Sequence, residues 1–524
     1  MTHKDIRFLE IRHLRGPNRW TYRPVLQAIV DIGELEDCPS NTIPGYHERL
    51  KALLPSLIEH RCSYGERGGF LRRVEEGTWP AHILEHVTLE LQNLAGLPGG
   101  FGKARETAER GVYTVVVRAP QEEVSRAALH EARELILAAM EDRPFDVAAA
   151  VGRLAELGDS YGLGPSTASL VEAAAERGIP AIRLLETGNL VQLGHGAAMR
   201  RLWTAKTDRT GAIAEGISRD EELTRSLLRD GGVPVPDVRA ADGAGEAWEA
   251  AQDIGLPVRL RPAAGEHGCG SPIDVHTRAD LEAAYGAAAD ADGGVWVERR
   301  LPGTRHRLLI IGGKMVAASR SDAGHGTDVT DAVHPETGEI AALAARIVGL
   351  DIAGVDLVCE DVSRPLGEQG GAVVGVKAGP DLLAHLAPGA GQARPVGRAI
   401  VEHLFPDGAD GRIPLVGISG SGGTTIVARI VARLLTLSGK STGLACGDGL
   451  FLDRRPLEKG DCAHWEHARR LLMNRAVEAA VLENGFDAIA AEGLAYDRCR
   501  IGVLTRFDAS RHLGRNHVDT PEQA

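Results

Sequence analysis

The sequence predicts a multidomain protein of mixed α/β and α+β class, and three observations lead to that prediction. The 524 residues are too many for one hydrophobic core, since single cores stop growing at about 250 to 300 residues. Apolar residues make up 43% and charged residues 25% of the chain, as in ordinary globular proteins. Strand-like and helix-like runs alternate along the chain, and a glycine-rich loop follows a strand near residue 420.

The first section, residues 1–158, is expected to be an α+β domain. Its apolar patterns and breakers predict three helices and two strands, with a further helical stretch after Tyr22-Arg23-Pro24. The strands are predicted at 6–11 and 112–118, and the helices at 47–60, 81–94 and 122–139.

The second section, residues 159–405, begins with a helix after Gly164-Pro165 and continues with short apolar strands at 295–298, 307–311, 315–318 and 354–358. The third section, residues 406–510, opens after a polar glycine-rich linker with a strand at 413–418. A loop, Gly420-Ser421-Gly422-Gly423-Thr424-Thr425, then leads into a helix through residue 435. Strand, glycine-rich loop and helix in this order are typical of a phosphate-binding loop. Residues 511–524 are polar, and the chain is expected to fray from residue 508 onward.

The helix predicted over 81–94 carries the most informative motif, His82-Ile83-Leu84-Glu85-His86. His82, His86 and Glu90 recur every four residues, so that their side chains follow one helical face and could bind one metal ion. Glu85 lies beside them, as in the H-x-x-E-H motif of inverted zinc peptidases, whose glutamate takes a proton from metal-bound water. The motif therefore predicts zinc ligands at His82, His86 and Glu90 and a general base at Glu85. The alternative is the polar stripe of an amphipathic helix, whose histidines satisfy backbone groups.

Charge and cysteine usage exclude several classes of protein. A formal net charge of −13 argues against a nucleic-acid binder, which needs basic patches to neutralise phosphate. Seven scattered cysteines without a C-x-x-C pair indicate neither a disulfide framework nor a cysteine zinc site. The N-terminus has no apolar signal region and no apolar run is long enough to cross a membrane. A cytoplasmic protein that contacts neither nucleic acid nor membrane is expected.

Several separate segments follow one another in a characteristic order over nearly the whole chain. They include Arg15-Gly16-Pro17-Asn18, the histidine helix, Thr207-Asp208-Arg209-Thr210 and Glu458-Lys459-Gly460-Asp461-Cys462. In this order they resemble the cyanophycin synthetase family. The resemblance implies an N-terminal domain, an ATP-grasp ligase domain and a Mur-ligase-like P-loop domain. It also implies a homo-oligomer that binds cyanophycin or other arginine-containing aspartyl peptides.

The ATP-grasp-like section departs from the family pattern at the positions that bind nucleotide. The family's two nucleotide lysines fall at Glu221 and Arg261, and the glycine-rich loop at 264–270 lacks its usual polar and basic members. Gly375-Val376-Lys377 replaces the family's magnesium-binding Glu-x-Asn, and an insert of the fold is deleted after Arg320. Losing two metal ligands and gaining a cation argues against magnesium-ATP binding. Matching residues remain, namely Arg261 in part, Glu298, Arg307 and Asp356.

The Mur-ligase-like section is similarly altered. The family loop resembles G-T-N-G-K-T-T, whereas this chain has Gly420, Gly422, Gly423, Thr424 and Thr425 with threonine in place of the lysine. A glycine nest at a helix N-terminus attracts anions only weakly without that lysine. Much of the family's Mur-like region, including its terminal domain, has no counterpart in the sequence, so arginine ligation is not expected.

Three hypotheses follow for the function. The first is a zinc-dependent hydrolase of cyanophycin or β-aspartyl-arginine peptides that acts through the N-terminal domain, since that motif is intact while two ATP sites are altered. The second is an inactive homologue that binds the polymer or regulates a full-length synthetase. The third is a divergent ATP-dependent ligase of the ATP-grasp type that uses Arg261, Glu298, Arg307 and Asp356.

Overall fold

The computed structural model describes residues 4–97, 99–262, 273–288, 295–321, 326–518 and 520–522. The glycine-rich loop predicted at 264–270 lies outside these residues. The described chain contains five sheets, which alternate along the sequence with groups of helices. The predicted multidomain α/β and α+β class is confirmed.

The first section folds around an antiparallel sheet in the order β1-β2-β4-β3. The central strands β2 and β4 are almost wholly buried, because helices cover one face and a small cluster containing Trp20 and Phe101 covers the other. Strand β3 forms one edge of the sheet and pairs only with β4. The strands are β1 (Arg7–Leu14), β2 (Val25–Asp31), β3 (Gly102–Glu106) and β4 (Val112–Arg118).

Five helices accompany this sheet. The third begins with Pro80, whose fixed φ suits the first helical turn, and it packs between the sheet and the fourth helix. Ile83, Leu84, Val87 and Leu91 on that helix are fully buried, and their burial fixes the rotation of the helix. The helices are α1 (Tyr46–Leu53), α2 (Gly69–Glu76), α3 (Pro80–Leu94), α4 (Glu122–Glu141) and α5 (Val147–Tyr161).

The second section contains three antiparallel sheets. The largest, β15-β14-β13-β16-β17, is covered by helices on both faces, which explains its apolar strands. The strands are β5 (Ala181–Arg183), β6 (Leu190–Leu193), β7 (Arg200–Trp203), β8 (Lys206–Thr207), β9 (Val238–Ala241), β10 (Val258–Pro262), β11 (Ile273–Val275), β12 (Val295–Arg299), β13 (Thr304–Ile311), β14 (Lys314–Arg320), β15 (Thr327–Asp328), β16 (Ile352–Cys359) and β17 (Ala372–Ala378). The helices are α6 (Pro165–Glu176), α7 (Ala212–Arg219), α8 (Glu221–Asp230), α9 (Ala244–Ile254), α10 (Arg278–Ala288), α11 (Pro335–Val348), α12 (Leu383–Leu386) and α13 (Val396–Leu404).

The third section is an α/β unit whose sheet has the order β21-β20-β19-β22-β18-β23. Strands β18, β19, β22 and β23 are parallel, whereas β20 and β21 form an antiparallel edge. The strands are β18 (Leu415–Ser419), β19 (Thr442–Cys446), β20 (Gly449–Leu452), β21 (Arg455–Lys459), β22 (Ala479–Asn484) and β23 (Ile501–Leu504). The helices are α14 (Thr424–Leu437), α15 (Trp465–Leu472) and α16 (Phe486–Glu492).

The structure corrects three local predictions. The stretch after Pro24 is not helical but forms the central strand β2, since its β-branched residues fit a buried sheet. The helix predicted over 47–60 ends at Leu53 because Pro55 disfavours helical backbone before it, and a 3₁₀ turn follows. In the part of the predicted frayed tail that the structure describes, residues 508–518 are packed, since Asn516 binds Arg12 and His512 stacks on Phe486.

Within the part of the chain that the structure describes, no helix has the length and apolar character needed to cross a lipid bilayer.

Candidate metal centre

Helix α3 presents the histidine motif to a cavity in the first section. His82 and His86 lie one turn apart, with ring centroids separated by 4.9 Å. Phe70 of α2 stacks on His86, at a centroid distance of 4.1 Å, and fixes the plane of that ring. The two imidazoles therefore face one point, as the sequence motif predicts.

Cys62 is the third group that could hold a metal at this point. Ligand atoms of Cys62, His82 and His86 all lie within 4.8 Å of one another, and Cys62 Sγ is 3.4 Å from His82 Nε2. Sequence reasoning missed this residue because it lies 20 positions before His82 in a loop, outside any C-x-x-C pair.

Glu90, predicted as the third ligand, lies behind the cluster instead. Its Oε2 is 2.7 Å from His60 Nε2, and His60 Nδ1 is 2.8 Å from His86 Nδ1. Glu90 thus contacts His60, whereas Cys62 lies next to His82 and His86. Among the described residues the geometry favours Cys62 over Glu90 as the third ligand, and Glu90 as a group that orients His86 through His60.

The hydrogen bonds assign the tautomers of both histidines. If Glu90 accepts from His60 Nε2, then His60 Nδ1 accepts from His86 Nδ1, which leaves a lone pair on His86 Nε2. His82 Nδ1 lies 2.9 Å from Thr78 Oγ1, so that donation to this hydroxyl leaves a lone pair on His82 Nε2. Both Nε2 atoms are thereby available as ligands, and oriented imidazoles of this kind are typical of metal sites.

Burial keeps the two imidazoles neutral, as ligation requires. It lowers the pKa of His82 to about 4 and, with help from the neighbouring histidines, that of His86 to about 2. For Glu90, burial opposes ionisation, but hydrogen bonds led by that from His60 hold its pKa below the usual value. A charged Glu90 and neutral His82 and His86 are therefore the stable forms near pH 7.

Glu85 lies on the side of α3 that faces strand β3. Its side chain is almost completely buried, at 7% exposure, and burial raises its pKa to about 7 despite a hydrogen bond from the Ala104 backbone N–H and the charge of Lys103. Gly102 makes room for it, because a Cβ there would lie 2.6 Å from Glu85 Cγ and Oε1. A carboxyl group with this pKa can both accept and donate a proton near neutral pH.

The cluster and Glu85 line a cavity of about 690 Å³ that opens beside β3. Three cations, Arg61, Lys103 and Arg105, line the same cavity. A concave site with metal-type ligands, a titratable carboxyl group and cations suits an anionic or zwitterionic substrate.

The predicted ATP-grasp positions meet in two places in the second section. Arg261 Nε lies 3.4 Å from Glu298, and the Arg261 guanidinium also forms an ion pair with Glu221. Arg307 Nε donates to Asp356, at 2.8 Å, and Asp356 is 1% exposed. A cavity of about 710 Å³ contains Glu221, Arg261 and Lys377 in its wall. Glu221 and Arg261, which occupy the positions of the family's two nucleotide lysines, therefore form an ion pair with each other.

The glycine-rich loop at Gly420 adopts the predicted position between β18 and α14. Thr424 and Thr425 both donate side-chain hydroxyls to Glu483 on β22, a residue that sequence reasoning missed. The loop backbone is occupied by the end of the chain, since Ser421 N donates to Arg506 O at 2.7 Å and Thr505 Oγ1 donates to Gly422 O at 3.0 Å. The Ser421 N–H and the Gly422 carbonyl are thus paired with protein groups.

Comparison with known sequences gives matches along almost the whole chain. Residues 27–141 match the family model described as cyanophycin synthase-like N-terminal domain. A cyanophycin synthetase from Geminocystis herdmanii is 35% identical over 99% of this chain and 68% of its own length. A cyanophycin synthetase from Synechocystis is 34% identical with the same coverage. A D-alanine–D-alanine ligase from Chromohalobacter salexigens is 29% identical over 22% of this chain and 37% of its own.

Solved structures are similar at lower identity. A bifunctional glutathione synthetase from Pasteurella multocida gives a TM-score of 0.40 at 18% identity, over 70% of this chain and 56% of that one. The ATP-grasp ligase PsnB gives a TM-score of 0.31 at 18% identity, over 37% of this chain and 61% of that one.

Proposed function

The chain belongs to the cyanophycin synthetase family, and within it we propose that this member is a zinc-dependent hydrolase of cyanophycin or β-aspartyl-arginine peptides. One observation carries the proposal: Cys62, His82 and His86 converge beside Glu85, a buried carboxyl group. We therefore assign the third ligand to Cys62 rather than to Glu90 and keep Glu85 as the base.

The donor set fits zinc. A thiol and two neutral imidazoles match the sulfur and nitrogen ligands that zinc prefers, and three protein ligands leave a position open, as in catalytic zinc sites. The free lone pairs on His82 Nε2 and His86 Nε2 follow from the hydrogen bonds to Thr78 and His60. When bound, zinc supplies a Lewis acid that polarises an amide carbonyl and acidifies water.

The protein groups supply the proton transfers. Glu85 takes a proton from the attacking water, whose oxygen bonds to the amide carbon, and gives it to the leaving amine as the carbon–nitrogen bond breaks. Its pKa of about 7 suits both steps. The second proton of the water also passes to the amine, so that the products are a carboxylate and an ammonium group, and Glu85 returns to its starting charge.

The cations of the cavity favour a substrate with free carboxylates. In β-aspartyl-arginine units the arginine α-amino group is joined to an aspartate side chain, so that each unit keeps the arginine α-carboxylate. Lys103 and Arg105 on the edge strand β3 and Arg61 beside Cys62 line the cavity where such groups would enter. Guanidinium groups bind carboxylates in a bidentate manner.

The decisive experiment incubates the purified full chain with cyanophycin, with and without a zinc chelator. Wild-type protein should shorten the polymer, chelation should stop the reaction and added zinc should restore it. Glu85→Gln should lower the rate by roughly 10²- to 10⁴-fold, the usual contribution of a general base. Glu75→Gln, an exposed glutamate of α2 in the same section, is the matched control and should cleave normally. Undiminished cleavage by Glu85→Gln would overturn the mechanism.

A second candidate function is ATP-dependent ligation, and the observation that favours it is the similarity to synthetases along 99% of the chain. Arg261, Glu298, Arg307 and Asp356 would then form its site. Polymer elongation that requires ATP and is lost in Asp356→Asn would establish this function. A chain that neither cleaves nor elongates the polymer but binds it would support the polymer-binding homologue instead.

A further inference from the structure

A second cluster of metal-type ligands lies in the third section of the chain. Ligand atoms of Glu458, Cys462 and His467 all lie within 4.8 Å of one another. Glu458 belongs to the edge strand β21, Cys462 to the loop that follows, and His467 to the first turn of α15. The three residues span ten positions of the chain, so a short segment brings them together.

The side chains of this cluster have free coordination capacity. Cys462 is 1% exposed, and it is paired with no other cysteine among those that the structure describes. His467 Nε2 is 3.3 Å from Glu458 Oε1, whereas His467 Nδ1 is buried and has no hydrogen-bond partner among the described residues. A buried polar atom without a partner costs free energy, so that a partner for this nitrogen would stabilise the cluster.

Neighbouring groups hold the cluster in place. Arg470, one turn further along α15, binds the other oxygen of Glu458, Oε2, and leaves Oε1 directed at His467. The backbone N–H of Cys462 donates to Cys446 O at the end of β19, at 3.0 Å. Partners that orient the ligating groups from outside are typical of metal sites.

We propose that Glu458, Cys462 and His467 form a second metal site, which binds zinc or another thiophilic divalent cation and fastens strand β21 to helix α15. Sulfur, imidazole nitrogen and carboxylate oxygen together are a zinc donor set. Strand β21 is exposed along its whole length and pairs only with β20. A metal ion bound at this site would therefore attach the exposed edge strand β21 to helix α15. The site does not depend on the proposed hydrolase.

The experiment counts zinc ions bound to the full chain after removal of metal and dialysis against zinc alone. Wild-type protein should retain two zinc ions per chain, and the His82→Ala, His86→Ala double variant should retain one. In that double variant, cobalt should give the intense sulfur-to-metal absorption band of a thiolate ligand. Adding Cys462→Ala should remove both the remaining ion and the band.

Two further variants separate metal loss from misfolding. His467→Gln keeps a polar side chain of similar size and should also lose the ion. Cys499→Ala removes an exposed cysteine outside the cluster and should bind metal like its parent. The site is refuted if the double variant binds no zinc, or if Cys462→Ala and His467→Gln retain the ion.

Discussion

Replacing Gly102 by alanine tests whether the position of Glu85 controls hydrolysis. The added Cβ would lie 2.6 Å from Glu85 Cγ and Oε1, which falls 0.8 Å short of the 3.4 Å at which ordinary contact begins, and 2.9 Å from Leu89 Cδ1. Glu85 must therefore move by most of an ångström. Misplacing a catalytic group by about 1 Å costs on the order of 10²-fold in rate, whereas overpacking costs about 1 to 3 kcal/mol of stability.

The assay measures the rate of polymer cleavage at saturating zinc together with the thermal unfolding midpoint. Gly100→Ala is the matched control, because it lines the same cavity and a Cβ there meets nothing within 4 Å. We expect Gly102→Ala to lose about 10²-fold in kcat while remaining folded, and Gly100→Ala to behave as wild type. Full activity in Gly102→Ala would refute the role assigned to Glu85.

Three further predictions concern other parts of the chain. Glu90→Gln should weaken zinc binding about 10- to 100-fold without abolishing it, since Glu90 orients His86 through His60. Unchanged zinc affinity in competition with a chelator would contradict this prediction. Burial lowers the pKa of His195 to about 4, so unfolding takes up a proton between pH 6.5 and 4 and stability falls as the pH falls. At pH 5 this histidine alone should contribute a loss of about 2 kcal/mol, so the loss measured by denaturant titration should be smaller by that amount in His195→Gln. Arg307→Ala should destabilise the chain by about 2 kcal/mol, because it removes charged hydrogen bonds of the buried Asp356 while Arg305 still binds that carboxylate at 2.7 Å, and an unshifted unfolding midpoint would contradict that.

Much of the fold could be predicted because its elements carry local signals. Helix α3 has an apolar stripe and a proline at its first position, and strand β4 is a run of β-branched residues between breakers, so both were predicted within a residue of their bounds. Strand β2 was missed since its run Val25–Asp31 is buried on both faces and lacks alternation. Whether such a run forms a helix or a strand depends on the neighbours it meets in the sheet.

The candidate site, like the fold, could be predicted from the sequence only in part. His82, Glu85 and His86 share one helix, so that helical geometry alone predicts their proximity. Glu90 has the correct spacing too, but the direction of its side chain is set by His60, which lies 30 residues away in sequence. Cys62 reaches the cluster from a loop, where its own φ angle is +50°. No periodic sequence pattern indicates this position. The third ligand therefore depends on tertiary packing.

The charges of the three sections bear on which activity the chain retains. In the second section Glu221 neutralises Arg261, and in the third Glu483 takes the hydroxyls of Thr424 and Thr425. An anionic nucleotide would have to displace these carboxylates before Arg261 or the two threonine hydroxyls could bind it, and like charges repel strongly in a partly buried site. At the histidine cluster the opposite holds, because hydrogen bonds from outside leave the ligand atoms free. This difference is the physical argument for placing the proposed hydrolysis ahead of ligation, the second candidate.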